Sequence, residues 1–336
     1  MTDVSLLLGS IRRIHNQIRD SVISEAELSS IGDLSGIHHE DVSDTIYRID
    51  AITEERLSGL FEELSRDHSF VLTAEGLPGE NRIYPRGTGE DDVEWRIIVD
   101  PIDGTRGLMY QKRSAWILTG VAPNRGAATC LRDVVLAVQT EVPLVKQHLC
   151  DQLWAVRGKG AAAERYDRIT GATKPLRLQP SRATTIAHGF AMIARFFPGG
   201  RAELAALDEE LVAGALGAAL PGKAHCFEDQ YISSGGQLYE LMAGHDRFVA
   251  DLRPLLQPLL AQQGGHRNLC CHPYDLCTSL IAEELGVIVT NPSGGPLDAP
   301  LDVTTDVAWV GYANAAIREQ MEMLLQNGLR KRGWLQ

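Results

Sequence analysis

Arg96-Ile97-Ile98-Val99 is a short apolar run that stops on Asp100-Pro101-Ile102-Asp103-Gly104-Thr105. An apolar run of this length reads as a buried strand. The hexapeptide then restricts how the chain leaves it. Pro101 fixes its own φ and biases Asp100 towards an extended conformation. Gly104 permits a sharp turn and close approach of a ligand to the backbone. Two carboxylates three residues apart are therefore expected to point to one place beyond the strand end. Hard cations take carboxylate, carbonyl and water oxygens, and the Ile102 carbonyl lies between the two aspartates. A helix beginning at Gly104-Thr105 would turn free N–H groups towards an anion. The plainer alternative is a strand-end turn whose aspartates only cap backbone N–H groups.

Around this segment the pattern divides the chain. Leu7, Ile11, Ile14, Ile18 and Val22 recur at helical spacing, and a second helical pattern covers residues 49–64. Gly32 and Gly36 mark a loop through 35–41, and the Pro- and Gly-rich stretch 76–92 reads as loop. Strands are expected at 115–121, 134–139 and 153–156, making residues 1–180 an α+β half on an antiparallel sheet. Beyond this, apolar runs at 185–191, 247–250, 287–290 and 307–312 alternate with helical patterns at 201–213, 236–243, 275–285 and 315–325. That alternation suggests an α/β half over 181–336.

Composition narrows function. With 44 acidic and 32 basic residues the net charge is -12, so neither a nucleic acid polymer nor an anionic membrane is an expected partner. Met1-Thr2-Asp3 carries no basic export signal, and no run reaches the roughly 18–20 apolar residues of a membrane span. Six cysteines in 336 residues form no disulfide framework, so a cytoplasmic location with reduced thiols is expected.

A second segment bears on the site. His272-Pro273-Tyr274-Asp275 opens the helical pattern of Leu276, Leu280, Ile281 and Leu285, and Gly294-Gly295-Pro296-Leu297-Asp298 follows the next strand. By itself Asp275 reads as an N-cap. Together, the two segments resemble the signatures of the inositol monophosphatase-like, lithium-sensitive phosphatases. Asp44-Thr45-Ile46-Tyr47-Arg48-Ile49-Asp50 with Glu54, then Thr73-Ala74-Glu75, and the tail Tyr312-Ala313-Asn314-Ala315-Ala316-Ile317 are similar to further family segments, in order. The resemblance spans roughly residues 40 to 320.

The resemblance implies a layered αβαβα sugar-phosphatase fold with the active site between its halves. It implies two Mg²⁺, with room for a weaker third near Glu75. Glu75, Asp100 and the Ile102 carbonyl would hold the first ion, and Asp100, Asp103 and Asp275 the second. Asp50 and Thr105, with Glu75, would serve the attacking water, and the Gly104-Thr105 backbone would bind phosphate. It further implies hydrolysis of a small phosphorylated substrate, lithium inhibition and a homodimer. The substrate would be inositol monophosphate or a related sugar phosphate, with fructose bisphosphate or a 3'(2'),5'-nucleotide bisphosphate as alternatives. A catalytically silent binding member is the non-enzymatic alternative, opposed by the presence of every expected ligand.

The chain also departs from the family pattern. Ala74 stands where a second acid usually precedes the glutamate, and Tyr274 replaces a tryptophan. Arg106 follows Thr105, where it would either contact a second anionic group or remain a solvated surface arginine. Asn268 occupies the place of the acid that contacts inositol, and Asp251 is the candidate to replace it across the insertion of 251–271. Cys270, Cys271 and Cys277 fit no zinc spacing and are expected as small buried residues. Gly158-Lys159-Gly160 is too short for a P-loop. Ser234-Gly235-Gly236 precedes a helical pattern, and either its N–H groups border the substrate pocket or it is an ordinary helix start.

Overall fold

The computed structural model describes residues 4–29, 32, 37–40, 45–77, 81–262, 264 and 269–335, with backbone alone for 37–40 and 45–55. Helix α1 (Val4–Leu28) and helix α2 (Arg48–Leu64) form an outer layer. They bury Leu7, Ile11, Ile14, Ile18, Leu57, Phe61 and Leu64 on one face of an eight-stranded sheet. That sheet contains β3 (Phe70–Ala74), β4 (Arg82–Tyr84), β5 (Trp95–Asp103), β6 (Ala115–Pro123), β7 (Leu136–Val142), β8 (Leu149–Val156), β9 (Ala161–Asp167) and β10 (Thr173–Leu176). Its order is β10-β9-β8-β7-β6-β5-β3-β4, antiparallel throughout except for the parallel β3–β5 pair. A separate antiparallel pair is formed by β1 (Ile37–Glu40) and β2 (Thr45–Tyr47), and β1 lies where sequence suggested a loop. Strand β4 likewise lies inside the stretch expected to be loop.

Alternation along the strands builds the layers. Ile97 and Val99 of β5, with Ile117 and Val121 of β6, face α1 and α2. Ile98, Trp116 and Leu118 face the other way. Helix α3 (Thr105–Met109), just past the end of β5, packs Leu108 and Met109 into the outer apolar cluster, whereas on the inner side sit the helices α5 (Ser234–Met242), α7 (Pro273–Leu276) and α8 (Ser279–Glu284). Beyond them lies a second sheet of β11 (Phe190–Ile193), β12 (Asp246–Asp251), β13 (Ile288–Thr290) and β14 (Trp309–Tyr312), in the order β11-β12-β14-β13. This sheet is mixed: β11 runs parallel to β12, whereas β14 is antiparallel to both its neighbours. Met192, Val249 and Trp309 point inward, and Ala191, Ile193, Phe248, Ala250, Val310 and Tyr312 point outward. The outward residues meet α4 (Arg201–Leu216) and α9 (Ala315–Lys331) through Leu204, Leu207, Leu211, Ile317, Met321 and Leu325, with α6 (Gln257–Gln262) adding Leu260. The order helix, sheet, helix, sheet, helix is the αβαβα arrangement.

Two expected elements differ in detail. The helical pattern at 275–285 is broken into α7 and α8 at Cys277–Thr278. The strand expected over 185–191 forms only at Phe190–Ile193, because the chain turns through His188 at φ 57°. No helix among the described residues is long and apolar enough to cross a membrane.

One polar residue on α1 is wholly buried. His15 meets Thr140 Oγ1 through Nδ1 at 2.9 Å and Thr119 Oγ1 through Nε2 at 2.8 Å. Burial pushes its pKa down from 6.5 to about 3, so the folded protein holds a neutral ring. The unfolded chain binds a proton there below pH 6.5 and the folded one does not until about pH 3, so this contribution is intact above 6.5 and is lost as pH falls. Denaturant titrations across that window should show a loss of roughly 3–5 kcal/mol attributable to this ring, and His15→Gln should flatten the slope.

Candidate metal centre

A regular strand would send Asp100 and Asp103 to opposite faces, because side chains alternate. Strand β5 avoids this with a bulge. Its pairing passes from Asp100↔Leu118 to Asp103↔Trp116, so three steps on β5 match two on β6. One extra residue restores the phase, and both carboxylates emerge on the inner face with Trp116 and Leu118. Pro101 occupies the bulge, where a strand tolerates a missing N–H. Ile102 keeps its side chain among the outer apolar residues. Its N–H donates to Asp100 Oδ1 at 3.0 Å, and its carbonyl accepts from Thr105 Oγ1 at 2.9 Å.

Three other segments converge on this strand end. Parallel pairing sets Ala74 beside Val99, and the Glu75 N–H donates to the Val99 carbonyl at 3.2 Å. Glu75 thereby stands next to Asp100, close enough for their carboxyl groups to hydrogen-bond. The N-cap of α7 is His272 and not Asp275: Asp275 stands at the third helical position and its Oδ2 reaches back to accept from the His272 N–H at 2.6 Å. It also faces the aspartates: one carboxylate oxygen each from Asp100, Asp103 and Asp275 lies within 4.8 Å of the others. Gly120 on β6 makes this approach possible, since a Cβ there would come within 2.8 Å of the Cys277 carbonyl oxygen. Finally, the Gly235 N–H (2.5 Å) and the Ser233 hydroxyl (2.8 Å) both donate to Asp103 Oδ2. Gly104 is held against the same segment at φ 94°, and a Cβ on it would lie 3.0 Å from Ser233 Cβ.

This grouping opposes its own charge. Burial pushes the Asp100 carboxyl well above the usual range, and Glu75, Asp103 and Asp275 push it the same way. Burial, then Asp103 and Glu75, raise Asp275, against the His272 N–H and the Arg253 charge. Asp103 rises to about 6 by burial, held back by the Gly235 and Ser233 donors and by Arg253. Buried, oxygen-only and anionic, the donor set suits a hard divalent cation. It lacks the nitrogen and sulfur ligands of zinc. Cys270, Cys271 and Cys277 are free and buried, with thiols pushed up by desolvation, Cys270 to about 12.

The remaining candidates divide. Thr105 adjoins the cluster, and Arg106 stacks at 5.2 Å over the Phe197 ring. Asp251 is not brought to a substrate position. It is fully buried, and both its oxygens accept from Arg253, Nε at 2.9 Å and Nη2 at 2.5 Å. The side chains of Asp50 and Glu54, together with Asp44, His266, Arg267 and Asn268, lie outside the described residues. The Ser234-Gly235-Gly236 start of α5 does border the centre, but the Gly235 N–H is taken by Asp103. Sequence reading missed Ser233, whose hydroxyl accepts from the Gly236 N–H at 2.8 Å as an N-cap while donating to Asp103. Its signal was a serine directly before a Ser-Gly-Gly helix start. Gly158-Lys159-Gly160 already binds an internal anion: Glu284 accepts from the N–H groups of Gly158 at 2.7 Å and Gly160 at 2.8 Å.

Solved structures of other proteins share this fold. A holo-form fructose-1,6-bisphosphatase from Leishmania major aligns with a TM-score of 0.66 at 15% identity, over 97% of this chain and 94% of that one. The extragenic suppressor protein suhB of Bartonella henselae gives 0.64 at 16% identity, over 96% and 99%. A Thermotoga maritima IMPase gives 0.58 at 14% identity, over 98% and 99%. No family model matches the sequence, and no curated protein sequence matches it. The chain therefore has the IMPase-like layered α+β fold, shared at identities that speak for fold alone.

The raised Asp103 carboxyl has a measurable consequence without cations. Its contribution to stability is present below pH 3.8 and is lost as pH rises through about 6. In EDTA at pH 7.5, Asp103→Asn should therefore unfold later than wild type, by about 1–3 kcal/mol. The gain should vanish near pH 4 in thermal scans. Added Mg²⁺ should stabilise wild type and leave the variant little changed.

Proposed function

We propose that this chain is a Mg²⁺-dependent phosphatase that hydrolyses a small phosphate monoester. The observation that carries the reading is the bulged end of β5, where Asp100 and Asp103 meet Asp275 and Glu75 beside the Gly104-Thr105 turn. The names of the proteins sharing the fold, a fructose-1,6-bisphosphatase and an IMPase, support the same class.

Glu75, Asp100 and the Ile102 carbonyl would hold one ion, and Asp100, Asp103 and Asp275 the other. Divalent cations held by these residues would supply charge neutralisation for the phosphate and a more acidic water. The residues of the chain do the positioning that phosphoryl transfer chiefly requires. Thr105 donates its hydroxyl hydrogen to the Ile102 carbonyl, which fixes the side chain beside the centre, and it is assigned to orient the attacking water. Asp50, on the first turn of α2, is assigned as the second acceptor for that water. The N–H groups of Gly104 and Thr105 are assigned to the phosphate oxygens. The substrate is placed among inositol monophosphate and related sugar phosphates, with fructose bisphosphate and 3'(2'),5'-nucleotide bisphosphates as alternatives. The reading carries with it lithium inhibition, a homodimer and a cytoplasmic setting.

Phosphate release from a panel of these compounds, with Mg²⁺, with EDTA and with Mg²⁺ plus Li⁺, tests the reading. Release should require Mg²⁺, fall with Li⁺ and drop at least about 100-fold in Asp100→Asn, in line with the loss of a group that stabilises transition-state charge. A folded, Mg²⁺-binding protein that releases phosphate from none of them would overturn it.

A further inference from the structure

We infer that Gln139 is a positioning residue that sets the spacing between Asp103 and Asp275, the carboxylates that opposite halves of the chain contribute to the metal centre. The inference rests on the metal reading above. Gln139 lies in the middle of β7 and is fully buried. It pairs across the sheet with Leu118 on one side and Leu153 on the other, and Leu118 in turn pairs with Asp100. The glutamine thus occupies the inner face in the same cross-strand row as Asp100, flanked by leucines. An unpaired amide at such a position costs about 1–3 kcal/mol, so its partners decide what it does there.

Both ends of the amide are engaged, and each leads to a carboxylate. Gln139 Nε2 donates to the Gly235 carbonyl at 2.8 Å. The N–H of Gly235 is the donor to Asp103 Oδ2 at 2.5 Å. At the other end, Gln139 Oε1 accepts from Thr278 Oγ1 at 3.0 Å. Thr278 is fully buried and lies three residues beyond Asp275, across the break between α7 and α8. A continuous path therefore runs from Asp103 through Gly235, Gln139 and Thr278 to the turn that carries Asp275. Each bond in it is buried, where hydrogen bonds are strong and their directions are held. A leucine at 139 would fill the row equally well but would tie neither α5 nor the Thr278 turn to the sheet.

The test separates this role from simple core stability. Mn²⁺ binding by calorimetry and unfolding in EDTA are measured for wild type, Gln139→Met, Thr278→Val and Thr278→Ser. Gln139→Met and Thr278→Val should weaken Mn²⁺ about tenfold or more, the scale of outer-shell substitutions at metal sites. Both should also raise the Mg²⁺ concentration needed for phosphate release. Thr278→Ser, which keeps the hydroxyl, should bind like wild type. If Gln139→Met does not fold, Thr278→Val, which removes one bond, carries the same comparison. Variants that unfold earlier in EDTA yet bind Mn²⁺ with the wild-type constant would reduce Gln139 to a core amide and overturn the inference. Wild-type protein that binds no Mn²⁺ would instead sink the metal reading, and the inference with it.

Discussion

The bulge between Asp100 and Asp103 is the constraint on which the site depends. A strand with perfect alternation would leave one aspartate among the apolar residues under α1 and α2, where no partner awaits it. One extra residue, taken up at a proline, brings both acids to the inner face. The neighbouring elements then answer the charge placed there. The N-terminus of α5 offers the Gly235 and Ser233 donors, α7 offers the His272 N–H, and Gly120 allows the Cys277 backbone to lie against β6. These contacts only partly offset the crowding of four carboxyl groups, of which Asp100 and Asp103 are buried. The centre is thus a local loss of stability retained within a well-packed protein, as sites that must bind charge commonly are.

What could be read from sequence follows from the range of the interactions involved. Asp100, Asp103 and the turn at Gly104 were legible because strand end, proline and glycine are neighbours along the chain. Asp275 was legible as a residue of a helix start, although the N-cap itself is His272. Its place beside Asp100 depends on packing between segments more than 170 positions apart, for which the family resemblance supplied the only hint. The same distance hid Ser233, whose bond to Asp103 spans 130 positions. Asp251 shows the opposite limit. An acid near the expected place suggested substrate contact, whereas Arg253, two residues on, holds both its oxygens. Strands β1 and β4 escaped notice because glycine- and proline-rich surroundings mask short pairings.

The layers were legible in outline and not in sign. Alternating helices and apolar runs after residue 180 suggested an α/β half without fixing the direction of its strands, and β14 lies antiparallel between β12 and β13. Apolar runs of three or four residues, such as Ile288–Thr290 and Trp309–Tyr312, carry no information on strand direction.

The middle helical layer has a further meaning. Leu238 and Leu241 of α5, with Leu280 and Ile281 of α8, belong to one apolar cluster with Trp116 and Leu153 of the first sheet and Val249 and Trp309 of the second. A cut near residue 180 would strip this layer from the first sheet and leave its inner face bare to water. The two halves are therefore not modules that selection can exchange or recombine separately. Each half on its own would expose to water the apolar face that the other now covers.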